Sequence, residues 1–203
     1  FIAIRALDAD GLAKAAEFCK EQGVPVVGCE FDVNSDACNS HFLFSEYGVG
    51  QGAGLAVCEL LEEKPDLVLN MGHIWVNSSI DPEKQRWAGF TDALAEYIDN
   101  GRVNMIAEDE SMADTAKVMT VAENWLTSKP EMNCIFGNND TMAYASTGVI
   151  TASGKKLNED FWVFGVGGDS TGLSGIQENV MWSTSVSQDV AERQAYWVGL
   201  ISD

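Results

Sequence analysis

Residues 129–143 decide the fold, and they read Lys-Pro-Glu-Met-Asn-Cys-Ile-Phe-Gly-Asn-Asn-Asp-Thr-Met-Ala. The apolar run 134–137 is typical of a short buried strand, and a helical pattern follows from residue 140. The polar residues Asn138, Asn139 and Asp140 therefore stand between a strand and a helix. Ligands of parallel α/β sheets bind off the carboxyl ends of the strands. The residues that follow each strand are thus the first candidates for a binding site.

The same strand–helix alternation extends over the whole chain and predicts doubly wound parallel sheets of the α/β class. One helix has an apolar stripe at Val118, Val121, Ala122 and Trp125, and Ser111 with Asp114 predicts a capping-box start for it. The predicted strands lie near residues 2–6, 24–30, 42–45, 66–70, 103–107, 133–137, 161–166 and 180–187, and the predicted helices near 9–22, 47–63, 83–100, 111–128, 140–153 and 188–201.

Composition narrows the function classes. The 203 residues carry a formal net charge of -19, which disfavours binding to nucleic acid or to an anionic membrane surface. The five cysteines have no zinc-site spacing, although a Cys29–Cys38 disulfide is an alternative to two thiols. The chain opens on a strand-like segment without an initiator Met, so we interpret it as an excerpt of a longer mature protein whose signal peptide or anchor lies outside it.

Two enzyme motifs occur without their partners. Residues 48–53 match G-x-G-x-x-A, but the next predicted strand ends in Asn70 rather than in the acid that a dinucleotide site needs. Residues 168–172 match G-x-S-x-G, but both histidines, His41 and His73, precede this motif. The calcium-like loop 32–36 lacks the glycine and the final acid of an EF-hand. The sequence therefore predicts a protein that is not an enzyme and that has no cofactor and no metal.

Hydrogen-bonding side chains follow several predicted strands. Glu30 follows residues 26–29, Asn139 follows 134–137 and Asp169 follows 162–165. Arg86 opens the predicted helix after the strand at 66–70. Carboxylate, guanidinium and amide groups suit the hydroxyls of a sugar, and aromatic faces suit its apolar side. The candidate aromatic faces are Phe31, Trp75 and Trp182.

Three segments together carry a resemblance. They are Gly23–Val27, the R-x-x-G-F sequence at 86–90, and the long match at 129–143. Across essentially its whole length the chain resembles the periplasmic sugar-binding proteins of the ribose and galactose type (type 1 periplasmic binding proteins).

The resemblance implies roles for individual residues. Arg86 and Asn139 would hydrogen-bond the sugar, and Gln188 corresponds to a glutamine at a hinge crossing. Asp169 corresponds to a binding aspartate, although it lies one or two residues later than expected. The chain departs from the family at Glu30 and Phe31, which replace an Asp-Arg pair, at Arg5, which replaces a small amide, and at Ala113, where an aromatic often stacks. These departures leave the identity of the sugar open.

The resemblance also implies an architecture and a function. Residues 1–44 and 189–203 would form the remnant of a truncated N-terminal lobe, and residues 45–188 the C-terminal lobe, with crossings near Ser45 and Gln188. The protein would be a periplasmic or extracellular monomer, free or lipid-anchored, that captures a monosaccharide for the membrane permease of an ABC transporter. The alternative on the same fold is the effector-sensing core of a bacterial transcriptional repressor.

Overall fold

The computed structural model describes residues 1–6, 8–30, 32–43 and 45–186. Strands and helices alternate along these residues, which confirms the α/β class. The strands are β1 Ile2–Ile4, β2 Val26–Glu30, β3 Ser40–Leu43, β4 Leu69–Trp75, β5 Val103–Glu110, β6 Cys134–Gly137, β7 Trp162–Gly167 and β8 Ser183–Val186. The helices are α1 Ala13–Glu21, α2 Glu46–Glu63, α3 Asp81–Ala93, α4 Ala95–Asp99, α5 Thr115–Ser128, α6 Asp140–Ala152 and α7 Ser170–Gln177.

The strands form two parallel sheets. The smaller sheet has the order β1-β2-β3, and the larger has the order β5-β4-β6-β7-β8. Residues 2–43 supply the smaller sheet and residues 69–186 the larger one. The division of the chain at residues 44/45 and 188/189 remains a prediction, because its second boundary lies outside the described residues.

Helices cover both faces of the larger sheet. Alternate residues of each strand point to opposite faces and so pack against different helices. Phe136 and Phe164 pack with α2 and α3 in one core cluster, whereas Ile135 and Val163 pack with α5 and α6 in another. This two-sided burial explains why the strands are short apolar runs rather than alternating ones. A third and smaller core, around Ala16 and Val26, belongs to the three-stranded sheet.

Several predicted boundaries are wrong. The strand expected at 66–70 runs instead from Leu69 to Trp75, because its pairing with β5 and β6 continues past Asn70. The helix expected at 83–100 begins at Asp81, with a proline in its first turn, and divides at the buried Leu94. The G-x-S-x-G segment at 168–172 leads into α7, a helix that the sequence did not predict.

One local prediction also fails, and one alternative is decided. Asp114 alone caps α5, by accepting from the backbone N–H groups of Ala116 and Lys117, whereas the Ser111 hydroxyl donates to the carbonyl of Trp75. A capping box is therefore not formed. Cys29 and Cys38 are not joined by a disulfide, and the Cys29 thiol contacts the Val27 carbonyl. The predicted helix at 188–201 lies outside the described residues.

Candidate ligand-binding site

The order of the larger sheet locates a crevice without reference to any relative. The chain runs outward from β4 to β5 and then returns to place β6 on the other side of β4. At such a reversal the connections leave the carboxyl ends of two neighbouring strands in opposite directions, and ligands bind in the crevice between them. Here the crevice lies off Trp75, the last residue of β4, and Gly137, the last residue of β6.

Glu83 joins the two strand ends at this crevice. Its Oε2 accepts a hydrogen bond of 3.1 Å from the backbone N–H of Val76, directly after β4, and another from the side-chain amide of Asn138, directly after β6. Burial raises the pKa of Glu83, while the Asn138 amide and the Arg86 charge act in the opposite direction. The carboxylate therefore holds the ends of β4 and β6 at a fixed separation.

Arg86 lies against the same cluster. It sits in the second turn of α3 rather than at the helix start, and its side chain is 13% exposed. Its Nε donates to Glu46, and its Nη1 donates to the Asn138 carbonyl at 2.9 Å and lies 3.9 Å from Glu83 Oε1. Nη2 makes no hydrogen bond to any residue that the structure describes. The guanidinium thus lies at the point where the strand order reverses between β4 and β6 (the switch point), and its Nη2 hydrogens are unused by the described residues.

Glu46 and Asn138 leave acceptors unused in this cluster. Glu46 Oε1 and Asn138 Oδ1 are both buried and have no hydrogen-bond partner among the described residues. A buried polar atom without a partner costs free energy, so such atoms mark places where water or a ligand completes the bonding.

Asn139 combines a structural bond with an unused donor. Its side-chain oxygen accepts from the backbone N–H of Met142 at 2.9 Å and so caps α6. Its side-chain nitrogen makes no hydrogen bond to the described part of the chain, and the residue is half-buried beside Asn138. A capping role and a ligand contact are therefore compatible in this one side chain.

Asp169 is the exposed N-cap of α7, and the Asp140 carboxylate holds its backbone in place. Its side chain accepts from the N–H groups of Thr171 and Gly172 at the start of α7. The buried Asp140 accepts from the N–H groups of Gly168 (2.7 Å) and Asp169 (3.1 Å) and from the Thr184 hydroxyl. Burial is the main influence on Asp140 and raises its pKa. The turn after β7 is therefore fixed by the first residue of α6.

The turn after β5 has a strained backbone. Met112 and Ala113 have φ values of 55° and 60°, which non-glycine residues rarely adopt. Hydrogen bonds from the N–H groups of Ser111 and Met112 to the carbonyls of Trp75 and Val76 hold the turn against the end of β4. The Met112 side chain is 58% exposed. This methionine, rather than an aromatic ring, is the apolar group that the turn presents.

Two of the expected aromatic rings do not present a face to the crevice. Trp75 is buried, lies 4.3 Å from the His73 ring and donates from its indole N–H to Glu108. Trp182 immediately precedes β8, at the amino end of that strand, and packs against the core. Trp75 fails because its ring is buried although it ends β4, and Trp182 fails because the direction of β8 puts it at the opposite edge of the sheet.

The remaining candidate residues belong to the smaller sheet or lie outside the described residues. Arg5 directly follows β1 and is exposed, and Glu30 is the last residue of β2. Both therefore follow or end parallel strands at the carboxyl edge of the three-stranded sheet. Phe31 and Gln188 lie outside the described residues.

The glycines of the G-x-G-x-x-A segment pack two helices together. A Cβ atom on Gly50 would clash with the Arg86 carbonyl, and one on Gly89 would clash with the Tyr47 carbonyl. These glycines therefore allow α2 and α3 to approach backbone to backbone. In the G-x-S-x-G segment, Gly168 has a φ of 70° in the turn that leads to the Asp169 cap. Both segments thus have structural explanations.

The sequence did not single out Glu46 and Glu83 as site residues. Glu83 could have been found from the sequence, because it lies three residues before Arg86 and side chains at that spacing meet on a helix. Glu46 had no such sign, because forty residues separate it from Arg86. No group of three or more metal-binding side chains occurs in the described ranges, and none of the helices there is long and apolar enough to cross a bilayer.

The fold and the crevice define an α/β protein built from two parallel sheets with polar carboxyl edges. Residues 1–199 match the model of the periplasmic binding protein domain, so the chain belongs to that family. This result confirms the resemblance to the type 1 periplasmic sugar-binding proteins.

Known relatives and structures support the family assignment. The chain is 22% identical to the ribose import binding protein RbsB of Escherichia coli over 181 residues, which are 89% of the chain but 57% of that relative. It superimposes on a Mycobacterium smegmatis protein in complex with β-D-fucofuranose, with a TM-score of 0.78, 21% identity and coverage of 89% and 59% of the two chains. It is also similar to the fructose-binding periplasmic domain of a hybrid two-component system, with a TM-score of 0.80, 17% identity and coverage of 98% and 64%. The chain thus spans little more than half of the curated relative, and the structures establish its fold.

Proposed function

We propose that the chain is part of a solute-binding protein that captures a monosaccharide, or a similar small polyhydroxylated ligand, between the carboxyl edges of its two sheets. The protein then delivers this ligand to the permease of an ABC transporter. It works as a monomer outside the cytoplasm, in the periplasm or at the cell surface, where a lipid anchor is one form of attachment.

The observation that carries this proposal is the position of Arg86. Its guanidinium lies at the switch point between β4 and β6, bonded to the backbone that follows β6, and its Nη2 has no partner among the described residues. The amide nitrogen of Asn139 is available in the adjacent residue. Two unused donors at a switch point suit the hydroxyl oxygens of a sugar. Asp169, two strands further along the sheet order from β4, adds an acceptor at the same edge.

The proposal has two further parts. The protein binds its ligand without converting it, and it serves transport rather than transcriptional repression. The curated relatives are import binding proteins, and none of their names describes an enzyme. The net charge of -19 makes attachment to a DNA-binding head less suitable than a role in solute capture. We propose that four further residues contact the same ligand. Gln188 would do so from the crossing between the lobes, and Arg5, Glu30 and Phe31 from the side of the smaller sheet.

The test is calorimetric titration of the complete protein with a panel of pentoses and hexoses, followed by the same titration of Arg86→Ala. A buried bond to a ligand hydroxyl contributes on the order of 1–3 kcal/mol, so the dissociation constant should rise roughly 5- to 150-fold. An unaltered dissociation constant would remove Arg86 from the site.

Arg102→Ala is the matched control. Arg102 donates to the carbonyls of Leu61, Lys64 and Leu67 near the end of α2 and makes a purely structural set of bonds. Its loss should lower the melting temperature while leaving the dissociation constant within about twofold, since the site is intact. If every sugar fails to bind the complete wild-type protein, the proposed function is wrong.

A further inference from the structure

The charge of Arg86 is already balanced inside the protein. Glu46 lies in the first turn of α2, its side chain is 3% exposed, and its carboxylate accepts the hydrogen of Arg86 Nε. Glu83 adds a second carboxylate, 3.9 Å from Nη1 of the same guanidinium. One arginine thus faces two acids, and the cluster presents no net positive charge to a ligand.

The bonding geometry also limits how Arg86 can bind. A guanidinium grips a carboxylate or phosphate by two parallel N–H bonds, from Nε with an Nη atom or from the two Nη atoms. Here Nε is bonded to Glu46 and Nη1 to the Asn138 carbonyl. The face that contains Nε is therefore occupied at that atom, and at the other face Nη1 already donates one of its two hydrogens. The donors that remain suit single bonds to hydroxyl oxygens.

The rest of this edge is acidic. Glu108, Asp109 and Glu110 end β5, and Asp169 follows β7. Lys84, on the same helix as Arg86, is paired with Asp81 at 3.1 Å. On the larger sheet an entering anion would therefore meet carboxylates without an unpaired arginine to attract it.

We propose that Glu46 is a specificity-determining residue which, by neutralising and orienting Arg86, makes the site accept uncharged sugars and reject sugar acids and sugar phosphates. This inference rests on the proposed function and adds to it the charge class of the ligand and the residue that sets it. Glu46 acts through Arg86 and is therefore a positioning residue.

The experiment compares charge-matched pairs of ligands in the complete protein. The probes are D-galactose with D-galacturonate and D-ribose with D-ribose 5-phosphate, titrated into wild type and Glu46→Gln. Glutamine keeps an oxygen that can accept from Nε but removes the charge. The ratio of the affinity for the anion to the affinity for the uncharged sugar should rise roughly 10- to 100-fold, because a full negative charge bonded to Arg86 has been removed.

Two controls separate this effect from a general change in charge or stability. Glu63→Gln changes the net charge equally, but Glu63 is the exposed last residue of α2, at the opposite end of that helix from Glu46. Its affinity ratio should stay within about threefold of wild type. A melting curve of each variant is the second control, so that affinity ratios are compared only between folded proteins.

Each outcome has a defined meaning. Equal affinity of wild type for both members of a pair overturns this inference but not the proposed function. An unchanged ratio in a folded Glu46→Gln protein has the same meaning. If Glu46→Gln does not fold, wild type still provides a test, because equal affinity for the two members of a pair contradicts the inference. Absence of binding for every probe refutes the proposed function and this inference with it.

Discussion

Gly50 of α2 packs directly on the backbone of Arg86 in α3, so closely that a Cβ atom on Gly50 would clash with the Arg86 carbonyl. This contact places the first turn of α2, which contains Glu46, beside the Arg86 guanidinium. The helix packing and the charge pairing at the crevice are therefore parts of one arrangement.

Substituting Gly50 should destabilise the protein strongly. In Gly50→Ala the new methyl group meets backbone, which cannot rotate away, so α2 and α3 must separate. Overpacking of this kind costs on the order of 1–3 kcal/mol or more. Urea denaturation of wild type and variant, monitored by circular dichroism, gives the change in the free energy of unfolding.

Gly148→Ala is the matched control for that measurement. Gly148 lies inside α6, is exposed, and has no atom within 4 Å of the position of its missing Cβ. Alanine there should stabilise the protein by about 0.5–1 kcal/mol, because alanine has the higher helix propensity. A similar effect of the two substitutions would contradict the packing explanation for the glycine segment.

These glycines also show what local sequence can and cannot reveal. The strand 134–137 and the helix with Val118 and Trp125 were predictable, because their periodicity is local. Gly50 matched a cofactor pattern, since the same residue type serves a turn, a phosphate or a helix contact. Only the partner, Arg86, distinguishes these uses. The bond from Arg86 to Glu46 was unpredictable for the same reason.

The wrong boundaries have a similar cause. Asn70 and His73 interrupt the apolar pattern of β4, and a polar residue in a short run suggests its end. In the folded protein β4 is paired on both sides, with β5 and β6, so its backbone bonding continues to Trp75. Tertiary pairing, which no local window contains, sets the length of this strand and hence the position of the crevice.

His73 should make the protein sensitive to mild acid. Its ring is buried, stacks on Trp87 at a centroid distance of 3.8 Å, and has both nitrogens without a hydrogen-bond partner in the described residues. Burial lowers the pKa of His73 well below the ordinary histidine value of 6.5. Below about pH 6.5 the unfolded chain therefore binds a proton that the native protein does not. Stability should fall with pH from that point, by at most about 1.4 kcal/mol per pH unit, until the lowered native pKa is reached.

The comparison of wild type with His73→Phe isolates this effect. Phenylalanine keeps a flat ring between Trp87 and Phe136 but cannot bind a proton. Melting temperatures from pH 7.5 to pH 5.0 should diverge, with the variant relatively more stable at the acid end. The pKa values of Glu83 and Asp140 are raised by burial, so these groups favour the native state as pH falls, but they are present in both proteins and cancel in the difference. Parallel curves would show that His73 does not titrate on unfolding.

Asn139 allows the helix cap and the ligand contact to be separated in one residue. Its oxygen caps α6 through the N–H of Met142, and its nitrogen is the unused donor at the crevice. Asn139→Asp keeps a capping oxygen, because aspartate and asparagine are about equally good N-caps, but it replaces the donor with an acceptor. We expect the free energy of unfolding to change by less than about 0.5 kcal/mol. The dissociation constant for the sugar should rise roughly 5- to 150-fold, since a ligand hydroxyl loses its donor.

Asn139→Ala removes both functions and completes the comparison. It should lose about 1 kcal/mol of stability with the cap, in addition to the same loss of affinity. The measurements are urea denaturation and calorimetric titration of the complete protein with the sugar that the panel identifies. If Asn139→Asp binds that sugar as tightly as wild type, the nitrogen does not contact the ligand. Asn139 would then be a cap alone, and the contacts on the larger sheet would reduce to Arg86 and Asp169.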